Sequence, residues 1–117
     1  MMPRTTVLLL LLALGAACTT ERPVKSEPVP LWLATIIDQL EHPPVPNPPE
    51  FIAQYDYQGQ TVYYVGPRCC DIPSTLYNAA GTVLCAPDGG FTGSGDGRCP
   101  DFILARSDEK ILWRSQS

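Results

Sequence analysis

The chain has 117 residues, a formal net charge of −4, five cysteines, thirteen prolines and one histidine. That length bounds it to a single small domain, and its acidity excludes the electrostatic footprint of a protein that holds phosphate backbones. The one imidazole, His42 in the proline-dense stretch EHPPVPNPPE, reads as a solvated loop residue, which leaves nucleophilic catalysis of the Ser-His or Cys-His kind without a base.

Residues 1–17 begin with Arg4, continue through an apolar run from Val7 to Leu14 and end in the small residues Gly15, Ala16 and Ala17, the layout of a secretory signal peptide. The run is shorter than the roughly 20 residues that cross a bilayer as a helix. Nor does it have the polar positions of a buried amphipathic helix. Ala16, Ala17 and Cys18 resemble the lipobox of bacterial lipoproteins, with one departure: Gly15 stands where that pattern has leucine, and Leu14 lies one position further out. The resemblance implies that Cys18 is lipidated and becomes the first residue of the mature chain; cleavage with Cys18 left unmodified is the alternative. Two acyl chains anchor a protein stably without a membrane span. Thr19, in place of an aspartate, implies sorting to the outer membrane, facing the periplasm or the cell surface. Loss of the leader takes Arg4 with it, leaving seven of the eight basic residues against twelve acidic ones, or five negative charges. Residues 18–30 mix charge with three prolines and show no apolar period, so they read as a solvated, lipid-anchored tether.

The domain proper is expected over 31–117. PLWLATIIDQLE carries Trp32 or Leu33, Ile36, Ile37 and Leu40 at helical spacing behind Pro30, which predicts a helix from 30 to 41 with its apolar stripe in the core. Five prolines in the connector that follows end it. In FIAQYDYQGQTVYYV, Phe51, Ala53, Tyr55 and Tyr57 share one parity, and Gln58-Gly59 reads as a two-residue hairpin turn, less favoured than Asn-Gly. STLYNAAGTVLCA predicts a second hairpin, with Gly81 supplying a positive φ. DFILARSDEKILWRS predicts a third pair of short strands around RSDEK. One N-terminal helix followed by small antiparallel hairpins makes the expected class α+β.

Two cysteines stand side by side in GPRCCDIP. With Cys18 lipidated, Cys69, Cys70, Cys85 and Cys99 remain, an even set in an exported chain and therefore a disulfide framework of two bridges. Three connectivities are possible. Joining Cys69 to Cys70 is disfavoured because neighbours sit too close for relaxed bridge geometry. Adjacent side chains in an extended segment point opposite ways, which would send one bridge to Cys85 and one to Cys99; Cys70 with Cys85 nested inside Cys69 with Cys99 is slightly preferred. Zinc and redox dithiol sites use ligand spacings of two to four residues, and neither spacing occurs here. Each bridge would stabilise a thin-cored chain of this size by about 3 kcal/mol.

Residues 86–101 read APDGGFTGSGDGRCPD, whose glycines and aspartates suggest a phosphate cradle or a calcium loop. It has no Lys-Ser/Thr for a P-loop and no glutamate at the twelfth position of an EF-hand. Tight turns tied down by Cys99 are the preferred reading over an irregular calcium site. As a rigid, pre-organised loop it is also the candidate binding element, with Asp88, Phe91, Thr92, Asp96 and Arg98 as its contact residues.

YDYQGQTVYYV, the cysteine- and glycine-rich run from CCDIPSTLYNAAGTVLC to GDGRCPDF, and the terminal EKILW resemble an uncharacterised domain family of small bacterial exported proteins and lipoproteins, over residues 31–114. The resemblance implies a small disulfide-stabilised secreted domain, with no activity assigned to the family. Cys69, Cys70, Cys85 and Cys99 fall on its cysteine positions.

No catalytic residue, metal ligand or cofactor site is assigned. A carboxylate pair such as Asp71 with Asp96 would serve a hydrolase, but any of the twelve acidic residues qualifies and spacing selects none. The favoured reading is a non-enzymatic envelope lipoprotein, binding or structural. Its partners are the membrane, through lipid, and an envelope protein or glycan, with no nucleic acid. A small secreted inhibitor of an envelope-acting or foreign enzyme is the alternative. Tyr55, Tyr57, Tyr63, Tyr64, Trp32 and Trp113 exceed what a thin core absorbs, so Trp32 and half of the tyrosines are expected inside and the remainder exposed as contact residues.

Overall fold

The computed structural model describes residues 28–42, 45–69 and 71–116. The leader, Cys18, most of the tether and Cys70 lie outside the described residues. Helix α1 spans Leu31–Glu41, one residue in from its expected start. Pro30 precedes it in extended backbone, and its carbonyl accepts from the N–H groups of Leu33 and Ala34, both at 2.9 Å. A proline is suited to that position because the missing N–H would have had no helical partner. At the other end His42 turns extended, its N–H donating to the Asp38 carbonyl at 3.0 Å.

Both hairpins form as the alternation and the turn residues predict. Strands β1 (Phe51–Tyr57) and β2 (Gln60–Val65) pair antiparallel, with Tyr57 opposite Gln60 and Ala53 opposite Tyr64. Gln58 and Gly59 both have positive φ, 50° and 74°, the two-residue turn whose twist matches that of the flanking strands. Strands β3 (Thr75–Asn78) and β4 (Val83–Cys85) make the second hairpin. The Asn78 side-chain oxygen accepts from the N–H groups of Ala80 and Thr82 there. Gly81 has φ 85°, and a Cβ on it would lie 2.9 Å from the Trp32 ring, so α1 docks on this turn through a residue with no side chain.

The expected third strand pair does not form. Phe102–Ala105 is instead a single helical turn, α2, and Ser107–Arg114 is one continuous strand, β5. The physical reason is the sheet order, β4-β3-β2-β1-β5. The β1–β2 hairpin leaves the outer edge of β1 open, and an eight-residue β5 fills it, whereas a short hairpin would have left most of it unpaired. Where Ile52 faces Trp113 and Ala53 faces Ile111, Leu112 is an extra residue. That bulge lets Leu112 and Trp113 both pack toward α1 while Ile111 packs toward the opposite face.

β4 and β5 sit at opposite edges, so the chain between them, residues 86–106, has to cross the whole sheet. The sheet therefore has two covered faces. Beneath α1, Leu33, Ile52 and Tyr63 are buried, with Trp32, Ile36, Ile37, Leu40, Val65 and Tyr77 packed around them. Under the crossover are Ala53, Tyr55, Tyr57, Val62, Tyr64, Leu76 and Phe102. All four hairpin tyrosines, Tyr55, Tyr57, Tyr63 and Tyr64, are at most 5% exposed, which corrects the expectation that half of them would be surface contacts. Two covered faces need twice the apolar surface of one, and the tyrosines of both parities supply it.

Candidate functional site

The glycine-rich crossover is built from its base outward. Asp88 faces inward: its carboxylate accepts the Tyr64 hydroxyl at 2.9 and 3.1 Å and also the Ser74 hydroxyl. The backbone of Asp88 exchanges further bonds with Ser74, whose N–H donates to the Asp88 carbonyl at 3.0 Å. Burial first, then the bond to Asp88, push the Tyr64 hydroxyl well above the ordinary tyrosine range. Asp88 therefore pins the base of the loop to the sheet.

Above that pin the loop closes on itself. The N–H of Gly89 donates to the Gly93 carbonyl at 3.1 Å, Gly95 to Gly89 at 3.1 Å, and Asp96 to Ala86 at 2.9 Å. Gly95 has φ 65°, and a Cβ there would sit 1.9 Å from the Ala86 carbonyl oxygen; no other residue fits. Thr92 and Asp96 are spent on local turns, accepting from the N–H groups of Ser94 (3.2 Å) and Arg98 (2.9 Å). The Arg98 N–H holds the Asp96 carboxyl below the usual carboxylate range. Arg98 itself is exposed, its guanidinium 3.8 Å from Asp96. What the loop presents is Phe91, 91% exposed at its tip.

Two further tyrosines tie the crossover and β5 to the sheet. The Tyr57 hydroxyl donates to Asp101 at 2.6 Å and that of Tyr55 to Glu109 at 2.7 Å. The Arg106 guanidinium lies over the Tyr55 ring, 4.6 Å from its centroid. Phe102 packs edge-on against Tyr55 and Tyr57 and stacks on Tyr64. Burial, followed by the bond to Glu109, pushes Tyr55 up to about 12, and the bond to Asp101 raises Tyr57.

Cys85 and Cys99 are bonded to each other, with Cα atoms 6.1 Å apart. The anticipated pairs, Cys70 with Cys85 and Cys69 with Cys99, are therefore not formed. The loop returns to its own base at Ala86, which carries Cys99 over the end of β4. Cys69 is also disulfide-bonded. Among the described residues this leaves one bridge seen at both ends, where two had been expected. No group of three or more His, Cys, Asp and Glu comes together among the described residues.

At the end of the sheet where β1 begins and β5 finishes lie two adjoining hollows that the sequence did not signal. The larger, about 550 Å³, lies between the C-terminus of α1, the proline connector and the end of β5. The smaller, about 430 Å³, shares Pro48, Arg114 and Ser115 with it and runs on to Pro67 and Cys69. Gly89 lies against the Pro67 ring, so the base of the loop borders this end. Trp113 lines the larger hollow, and its indole N–H donates to Glu41 at 3.1 Å. His42 lines it too, exposed and 3.4 Å from Asp38. Trp113 was visible in the sequence as a ring in excess of the core; its placement depended on the β5 bulge, which has no local signature.

Residues 38–115 match the model of a family described as a domain of unknown function (DUF6970). No curated protein and no solved structure matches the chain.

Proposed function

The chain belongs to the DUF6970 family, which brings no activity with it, and we propose that it is an exported, lipid-anchored, non-enzymatic binding module whose contact element is the glycine-rich loop. One observation carries the reading. A large apolar side chain, Phe91, stands 91% exposed on a loop that is otherwise fixed at every turn by backbone bonds, by Asp88 and by the Cys85–Cys99 bridge. Holding an aromatic in water has no folding benefit, and a rigid anchor loses little entropy when it enters a pocket. The partner is an envelope protein with an apolar-floored cleft; where that protein is an enzyme, the module acts as its inhibitor. Export is supported by the leader, the lipobox-like Cys18 and the oxidised cysteines.

Photocrosslinking in cells that express the full chain tests this. Benzoylphenylalanine in place of Phe91 is expected to trap one envelope protein, and the same probe in place of Leu104, which is 92% exposed, is not. Equal trapping from both positions, or none from 91, rejects the loop as the contact element. A purely structural lipoprotein would instead lose its effect on Cys18→Ala and keep it on Phe91→Ser.

A further inference from the structure

The two hollows at the end of the sheet play no part in the loop reading, and we propose that together they form a binding groove for a short linear oligosaccharide. Their shape is the first support. Each lies within the roughly 300–1,000 Å³ of small-ligand sites, at about 550 and 430 Å³, and they meet at Pro48, Arg114 and Ser115. A chain of rings fits such a run better than a single compact molecule does.

The lining chemistry is the second support. A sugar ring is amphipathic, with C–H groups on its faces and hydroxyls around its edge. The larger hollow offers Trp113 with Leu40, Val45 and Pro48 as apolar surface. Because the indole N–H is already given to Glu41, the ring is held in place, and what it adds to the hollow's lining is carbon surface rather than a free donor. Around it stand planar hydrogen-bonding side chains: Glu41 and Gln116 in the first hollow, Asn47 and Glu50 in the second, Arg114 in both. Carboxylate, amide and guanidinium groups each place two parallel donors or acceptors at the spacing of neighbouring hydroxyls. A proline-rich peptide is the competing ligand. Such peptides dock between several aromatic rings with few side-chain hydrogen bonds, the reverse of this lining.

The site is independent of Phe91, which lines neither hollow. The full-length chain in detergent micelles is titrated with chitotriose, cellotriose and maltotriose, and with an octaproline peptide, while backbone amide shifts are followed. The expected result is saturable shifts with at least one trisaccharide, confined to the amides of residues 40–42, Val45, Asn47, Glu50 and 113–116. Trp113→Ala and Arg114→Ala are each expected to weaken that binding by about tenfold or more, and Phe91→Ser to leave it unchanged. Arg114 is exposed, so its variant stays informative if the tryptophan variant misfolds. Absence of saturable shifts with all three sugars, shifts centred on residues 88–97, or tighter binding of octaproline than of any sugar each overturns the proposal.

Discussion

The two faces of the sheet are covered by different kinds of chain, and they are held by different forces. Under α1 the contacts are those of an amphipathic helix: Leu33 fully buried, with Trp32, Ile36, Ile37 and Leu40 along the same stripe. The crossover on the other face is irregular and rich in glycine, so it has no stripe to offer. Two tyrosine hydroxyls on the sheet instead reach out to Asp88 and Asp101, one bridge ties the loop to β4, and Phe102 is its one fully buried apolar anchor. An irregular layer of this kind is fixed by a few strong, specific ties where a helix is fixed by many weak ones. Its stability should therefore depend on redox state and pH in ways that packing under α1 does not dictate.

Removing each face's main anchor has the largest expected effect. Phe102→Ala is expected to cost about 3–5 kcal/mol and Leu33→Ala about 2–5 kcal/mol, as buried large-to-small changes do. Urea denaturation measures both. Amide exchange separates them: in Phe102→Ala the amides of residues 88–97 should lose protection ahead of those in α1. If both variants open both regions equally, the faces are one cooperative unit and the distinction drawn here does not hold.

Next in size is the bridge. Cys85 and Cys99 are 14 positions apart, and a loop of that length stabilises by about 3 kcal/mol when closed by a disulfide. Replacing both cysteines by alanine should lower the urea midpoint accordingly. The loop should become sensitive to protease near Arg98 while α1 and the first hairpin keep their exchange protection.

Much of this frame was legible in the residues. The helix at 31–41 followed from Ile36, Ile37 and Leu40 behind Pro30, and both hairpins from alternation punctuated by Gly59 and Gly81; these are local signals, and the local geometry obeys them. What could not be read was long-range. The β4-to-β5 crossover decides that Phe102 turns into the core on a helical turn, that Cys99 returns to Cys85, and that both parities of the tyrosines are buried. None of these has a periodicity of its own. At the candidate site, tight turns were expected from the glycines and aspartates, with Cys99 as their tie. The split of its residues into an inward pin, Asp88, turn-formers, Thr92 and Asp96, and a presented anchor, Phe91, was not, because it depends on which side of the crossover meets Tyr64.

Alkaline titration sharpens the contrast at lower cost to the molecule. Tyr55 is pushed up to about 12 by burial and by Glu109, and Tyr64 and Tyr57 are raised as well. A tyrosine raised in the folded state contributes its full stabilisation below the ordinary value of about 10, and loses it as the pH climbs toward the folded value, because the unfolded chain releases its proton first. Stability should be flat to about pH 9.5 and fall steeply between 10 and 12, with Tyr55 alone accounting for on the order of 2 kcal/mol. Tyr55→Phe should remove part of that slope. An unchanged slope would mean that the hydroxyl is not held as the 2.7 Å bond to Glu109 implies.

The smallest effect expected is the one that bears most on function. Phe91→Ser should change stability by no more than about 0.5 kcal/mol, because a side chain that touches no core contributes only as surface. A larger loss in urea would place Phe91 against the protein and remove its claim to be an anchor for something else. With stability unchanged, any lost crosslink or lost effect on a partner belongs to contact alone. Phe102 and Phe91 then mark the two ends of one design: eleven residues apart on the same crossover, one ring is used up in holding the layer down, and the other is held out by the rigidity that the first secures.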